Sequence, residues 1–241
     1  MTARNAKLLT ELVGTFLFLT VIALSGPIGP LAPLAIGAAL MAMVYMGGHV
    51  SGAHYNPAVS LGVFLRRKIS GSDLFLYWIA QLLGAALAFS FGYLISGSSP
   101  GIHPGEHVAA LQALMVEVVF TAGLVMVVLN VAATKATQGN SFYGLAIGIF
   151  IAAAAFAGGP VSGGAYNPAV GIGATFGSAI FAGGSWSDLW LYLVGPLLGA
   201  AIGAGVHRYQ VRGLELALEP PEGDPSPGAP APVPEGGESR T

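Results

Sequence analysis

Six stretches of this chain, approximately residues 8–25, 31–50, 74–96, 108–133, 142–158 and 188–207, are apolar over close to the length that crosses a bilayer. A hydrocarbon core of about 30 Å takes about 20 helical residues, and only helices and closed barrels satisfy their own backbone hydrogen bonds there. Charge density points the same way. The 9 Lys+Arg and 11 Asp+Glu make 8% of 241 residues, against about 25% in soluble domains. So few charges do not cover the surface of a soluble protein of this size, which excludes a nucleic-acid binder, a soluble enzyme and a disordered hub. The chain has no cysteine, which removes disulfides, thiolate metal sites and cysteine nucleophiles.

The spans sort the basic residues. With six crossings, Arg4 and Lys7, Arg66-Arg67-Lys68, Lys135, and Arg208, Arg212 and Arg240 all fall on one side, while the connections about 26–30, 97–107 and 182–187 hold no Lys or Arg. The excess of Lys and Arg in cytoplasmic loops then places both termini in the cytoplasm, and a bacterial inner membrane is expected. Arg4 and Lys7 before an apolar run resemble a signal peptide, but Glu11 lies inside that run and the remaining spans need it as a partner. Residues 213–241 are expected to be a Pro-, Gly- and acid-rich disordered tail, so the net charge of −2 says nothing about substrate.

An internal repeat organises residues 1–212. Ser51-Gly52-Ala53-His54-Tyr55-Asn56-Pro57-Ala58-Val59 and Ser162-Gly163-Gly164-Ala165-Tyr166-Asn167-Pro168-Ala169-Val170 agree at seven of nine positions, 111 residues apart. Gln81-Leu82-Leu83-Gly84 is echoed by Pro196-Leu197-Leu198-Gly199, and the Glu11 and Glu117 segments match as well. Repeat 1 covers about 7–97 and repeat 2 about 108–212, each with three spans and one short apolar stretch, 57–65 or 168–181, too short to cross. An odd number of spans inverts the second copy. Asn is a favoured N-cap and Pro is favoured at the first helical position, so each motif starts a half-helix after non-helical, Gly-rich backbone. Such backbone at membrane depth is buried in protein or lines a water-filled cavity, and discontinuous helices of inverted repeats meet near the midplane. Two positive helix ends meeting there oppose cations and protons, whereas a neutral hydroxyl or water finds the Asn amides as donors and free carbonyls as acceptors.

The paired Asn-Pro-Ala motifs resemble the signature of the major intrinsic protein family, the aquaporins and glycerol facilitators. Glu11 with Gly14-Thr15-Phe16, Gly48-His49, Tyr77-Trp78 with Gln81 and Gly84, Glu117 with Phe120-Thr121, and Gly195-Pro196 support the resemblance over roughly residues 7–212. The resemblance implies an all-α membrane fold, six transmembrane helices plus two half-helices in an inverted 3+3 repeat, assembled as a homotetramer in the lipid bilayer. It makes Asn56, Pro57, Ala58, Asn167, Pro168 and Ala169 the central pore motifs. Carbonyls of Gly52, Ala53 and His54 and of Gly163, Gly164 and Ala165 would line the two vestibules, and Glu11 and Glu117 would brace the loops. An ionisable group in mid-span faces the interior and finds a partner, which agrees; a proton relay is the alternative for this pair.

The sequence departs from the family at the outer constriction. Many members carry Arg directly after the second motif, where this chain has Val170, and the other three constriction positions would be Ile36, Ala155 and Gly164. That implies a wide, apolar gate passing water and small uncharged solutes of the glycerol, urea, ammonia and hydrogen peroxide class. A strict water channel, or an ion channel or proton-coupled transporter using Glu11 and Glu117, is the alternative. Gly171 and the short third connection differ from a typical glycerol facilitator. No enzyme motif, cofactor, metal site or nucleic-acid partner is expected: Pro104-Gly105 separates His103 from His107 and spoils the spacing of metal ligands on a helix. His49 and His54 are read as packing beside the first motif, with pH sensing as the alternative.

Overall fold

The computed structural model describes residues 2–218. Eight α-helices order the described residues: α1 (Ala3–Leu24), α2 (Ala32–Ser51), α3 (Pro57–Leu65), α4 (Gly71–Ser96), α5 (Ala110–Val128), α6 (Tyr143–Ser162), α7 (Pro168–Phe181) and α8 (Leu189–Leu218). Six of the helical segments are long and apolar enough to cross a membrane, and α3 and α7 are not among them. With 9 and 14 residues, they reach only about 14 and 21 Å.

Local chemistry sets the ends. Thr2 and Ser70 cap α1 and α4 by accepting from the backbone N–H groups of Asn5 and Asp73. The helices α2, α4 and α6 each stop at a glycine in the left-handed conformation, Gly52, Gly97 and Gly163, which accepts the positive φ that ends a helix at little steric cost. The last helix includes residues up to Leu218, so 213–218, expected in the tail, are helical. Gly213-Leu214-Glu215-Leu216-Ala217-Leu218 contains mostly good helix formers. The remainder of the expected tail, 219–241, lies outside the described residues.

Packing follows the repeat. The helix α1 lies against α4 and its repeat counterpart α5 lies against α8, while α2 crosses α6. Small residues permit these close approaches. A Cβ on Gly84 would come within 2.7 Å of the Leu12 carbonyl oxygen, and one on Gly199 within 2.5 Å of the Val118 oxygen. At the α2–α6 crossing, a Cβ on Gly37 would meet the Gly148 oxygen at 2.5 Å and one on Gly148 the Gly37 oxygen at 2.5 Å. Those two glycines are 111 residues apart, the spacing of the nonapeptides, so the crossing lies on the pseudo-twofold relation between the halves. Each half-helix crosses over to the other repeat: α3 packs on α8 and α7 on α4. Large apolar side chains such as Leu87, Leu94, Leu111, Met115, Val119 and Ile149 are exposed on the outside of the bundle, as a lipid-facing surface requires.

Replacing Gly199 with Leu should force α5 and α8 apart at Val118 and Thr121. The expected loss is about 1–3 kcal/mol of stability, measured as a lowered thermal midpoint of the purified protein in detergent; an unchanged midpoint would contradict this packing.

Candidate functional site

Asn56 and Asn167 open α3 and α7 from the same backbone conformation, φ −157° with ψ 119° and 114°. In each, Oδ1 caps the helix. Asn56 Oδ1 accepts from the backbone N–H of Ala58 at 2.8 Å and of Val59 at 3.4 Å, and Asn167 Oδ1 accepts from Ala169 N–H at 2.9 Å. The amide nitrogens reach across the pseudo-twofold: Asn56 Nδ2 donates to the Tyr166 carbonyl at 2.9 Å and Asn167 Nδ2 to the Tyr55 carbonyl at 3.0 Å. The two half-helix starts are thereby stitched together. Each amide has two N–H bonds, so one per Asn remains after the cross-link.

The backbone leading into each Asn is left-handed at matching positions, Gly52, Ala53 and Tyr55 in one copy and Gly163, Gly164 and Tyr166 in the other. Two of the positive-φ residues in the first copy, Ala53 and Tyr55, are not glycine, and such a conformation persists only where surroundings over-determine it. The buried carboxylates supply that determination. Glu11 Oε1 accepts from Ser51 Oγ at 2.6 Å and His54 N–H at 2.9 Å, and Oε2 accepts from Tyr55 N–H at 2.8 Å and Gln81 Nε2 at 2.8 Å. Glu117 repeats the pattern with Ser162 Oγ at 2.7 Å, Ala165 N–H at 3.0 Å and Tyr166 N–H at 2.7 Å. Neither carboxylate meets a cation among the described residues; the only ion pairs there are Arg4–Asp73 and His103–Asp188. Two tyrosine hydroxyls finish each loop. Tyr77 and Tyr192 donate to the Ser51 and Ser162 carbonyls at 2.7 Å, and Tyr55 and Tyr166 donate to the Met43 and Ala154 carbonyls at 3.1 and 2.9 Å.

A cavity of about 1260 Å³ runs past this junction. Its lining extends from Lys68 and Lys135 at the end of the bundle that carries the basic connections, past Asn56 and Asn167, to Pro30 and Pro100 at the far end. Gly52, Ala53, His54, Gly163, Gly164 and Ala165 all line it, and so do Ile36, Ala155 and Val170. Pro57, Ala58, Pro168 and Ala169 do not; they are buried in the first turns of the half-helices. Sequence reasoning missed the carbonyls of Tyr55 and Tyr166, which take the cross-linking amides, and Ile102 of the third connection, which lines the cavity. The tyrosines had a signal, because both nonapeptides keep Tyr directly before Asn-Pro. Ile102 had none. In the same connection His103 Nδ1 meets Asp188 Oδ2 at 2.9 Å, and no cluster of three or more His, Asp or Glu able to hold a metal occurs among the described residues.

Comparison with known proteins matches residues 2–207 to the family described as "Major intrinsic protein". "Probable aquaporin TIP3-2" of Oryza sativa subsp. japonica is 39% identical over 189 residues, covering 77% of this chain and 69% of that protein. "Aquaporin TIP1-2" of Musa acuminata is 40% identical over 182 residues, with 73% and 69% covered. Among solved structures, the aquaglyceroporin from Plasmodium falciparum superposes with a TM-score of 0.78 at 23% identity, over 88% of this chain and 98% of that one; this likeness is one of fold. The expected bacterial inner membrane is overturned by these relatives, which are aquaporins of plants. Integration into a membrane stands.

Glu117→Ala should leave three donors of the second loop without an acceptor. Each orphaned buried donor costs about 1–3 kcal/mol, so the variant should lose most of its folded yield in membranes, read as the monodisperse fraction after extraction. A wild-type yield and thermal midpoint would contradict the bracing geometry.

Proposed function

The chain belongs to the major intrinsic protein family, and from that premise we propose that it is a passive channel for water and small uncharged solutes, with a constriction wider and more apolar than that of a strict water channel. The observation that carries the reading is the pair of half-helix starts, cross-linked through Asn56 and Asn167, on the wall of a cavity that reaches both ends of the bundle.

The mechanism needs only these parts. A solute entering the cavity sheds water and replaces it with hydrogen bonds to the loop carbonyls and to the free N–H of each Asn amide. Each half-helix points its N-terminus at the junction with roughly half a unit of positive charge, and the two together raise the energy of any cation there. The Asn Oδ1 atoms are committed to capping, so the amides present donors and no acceptor to the path. A water at the junction is then held with its oxygen toward the amides, which interrupts a chain of proton transfer.

Selection by size falls to Ile36, Ala155, Gly164 and Val170, which line the cavity and carry no charge or hydrogen-bonding side chain. Glycerol, urea, ammonia and hydrogen peroxide fit this chemistry, since each is neutral and offers both donors and acceptors. A homotetramer with one path per subunit is the assembly proposed by family resemblance.

Proteoliposomes shrunk under sucrose, glycerol and urea gradients, with a pH-sensitive dye inside, test the reading: water, glycerol and urea should all pass while protons do not. Val170→Arg should reduce glycerol and urea permeability at least about ten-fold with water less affected, because the long cation fills the gap opposite Ile36 and Ala155. Wild-type flux of water alone would overturn the wide gate, and unchanged glycerol and urea fluxes in the variant would overturn the constriction.

A further inference from the structure

The span that begins with α5 does not end as an α-helix. Residues Leu129–Ala133 continue it as a turn of π-helix, a form that is rare and recurs at functional sites. The carbonyls that a helix leaves unpaired at its C-terminus are here taken by side chains. Met126 O accepts from Asn130 Nδ2 and Leu129 O from Thr134 Oγ1, both at 2.9 Å, and Val131 O accepts from Asn140 Nδ2 at 2.7 Å. The segment 129–140 is thus folded on itself. Its residues Thr134, Lys135, Gln138 and Asn140 line the cavity at the basic end of the bundle.

A buried ring ties this wall to two other helices. His207 of α8 is 2% exposed and both its nitrogens are bonded: Arg66 Nε donates to Nδ1 at 3.0 Å, and Nε2 meets Thr134 Oγ1 at 2.8 Å. A guanidinium has donors and no acceptor, so Nδ1 must accept, the proton of the neutral ring is on Nε2, and Nε2 donates to Thr134. The Thr134 hydroxyl gives its own proton to Leu129 O. Every hydrogen bond in the series from Arg66 through His207 and Thr134 to Leu129 O therefore points one way. Arg66 is the C-cap of the half-helix α3, so the series runs from the far end of the helix that starts at Asn56 to the wall of the mouth. Neither Arg66 nor His207 lines the cavity; both stand behind that wall. At the other end of the bundle the repeat positions of Arg66 and His207 are Gly177 and Gly92, which have no side chain to make such a tie.

We infer that this series is a latch: His207, fixed in its tautomer by Arg66, holds the segment 129–140 back against α8 through Thr134 and so keeps the basic end of the path open. The inference deepens the channel reading above and rests on it. His207 and Arg66 are positioning residues that act through the wall and do not touch solute. Among the described residues, the segment's other side-chain bond to a helix besides α5 is Asn130 Nδ2 to Gln210 Oε1, at 3.3 Å and exposed. Releasing Thr134 leaves the wall on that weaker contact, free to swing across the opening it lines.

The test uses the full chain with 15N-labelled histidine in lipid bilayers at about pH 8, where an ordinary imidazole is neutral. The His207 signals are identified by their loss in His207→Gln, and wild type should show the proton on Nε2. Thr134→Val removes the hydroxyl at nearly constant volume, and Thr134→Ser keeps it. In Thr134→Val, hydrogen-exchange protection of residues 129–140 should fall by roughly two- to ten-fold, the worth of one hydrogen bond, while α1 and α4 keep theirs. Water and glycerol permeability should fall with it, by about two-fold or more, and both readouts should return in Thr134→Ser. A wild-type proton on Nδ1 overturns the latch and needs no variant to fold. Lost protection with unaltered permeability shows that the segment does not control the path and overturns the inference. So does a Thr134→Val protein like wild type in both readouts, a loss that Thr134→Ser fails to reverse, or one that extends to α1 and α4, the mark of general destabilisation. Wild-type liposomes impermeable to both water and glycerol would instead overturn the channel reading, while tautomer and exchange still decide whether the segment is latched.

Discussion

Two buried carboxylates that meet no cation among the described residues are the feature on which the other interactions hang. A re-entrant loop at membrane depth exposes backbone N–H groups that neither helix nor water satisfies. Glu11 and Glu117 take those groups, His54 and Tyr55 in one loop, Ala165 and Tyr166 in the other, and add the Ser51 and Ser162 hydroxyls. Hydrogen bonds from neutral donors to a carboxylate are stronger than neutral ones. Here they hold left-handed residues in place and so set where the following Asn begins its half-helix. The order of dependence runs from carboxylate to loop, from loop to Asn, and from Asn to the junction between the halves.

Inversion explains why the same parts serve twice. The Gly37–Gly148 crossing joins residues 111 apart, and the reciprocal bonds Asn56–Tyr166 and Asn167–Tyr55 span 110 and 112, so backbone geometry is matched across the pseudo-twofold at both contacts. Because each half-helix packs on the last span of the other repeat, neither repeat buries its own half-helix alone. The close approach of α5 and α8 at Gly195, Gly199 and Gly203 is then a requirement of the site as much as of the bundle, since α5 carries Glu117 and α8 carries Tyr192.

Most of this was legible in the sequence, for identifiable reasons. Spans follow from apolar length, and the half-helices follow from Asn-Pro at the head of runs too short to cross. The repeat gave the inversion. Glu11 and Glu117 stood out because a carboxylate in a span needs a reason. What could not be read was the partner of each group. Nothing in the spelling of Tyr55 or Tyr166 says that its carbonyl takes an amide from the other repeat, because that bond depends on three left-handed residues in a row of six. Ile102 comes from an irregular connection, where no periodicity links residue to position. Residues 213–218 were expected in the tail, yet Leu214, Glu215, Leu216, Ala217 and Leu218 are helix formers and continue α8. The membrane in which the protein resides was misjudged for another reason: charge sorting tells sides apart but does not tell one membrane from another.

The departures from symmetry show which features the duplicated backbone carries and which it does not. Everything tied to the junction is paired: capping Asn, bracing carboxylate, capping serine, tyrosine hydroxyl. On the proposed channel reading, exclusion of cations acts at that junction and draws on both half-helix ends, so a change in either copy should alter it. Solute preference has no such constraint, because the side chains facing the two halves of the path need not match. Ile36, Ala155 and Val170 line the cavity without a hydrogen-bonding side chain, whereas His54 also lines it and has Ala165 as its counterpart in the second repeat. On the proposed channel reading, the paired backbone accounts for what is kept out, and the unpaired side chains are free to set which neutral molecules pass.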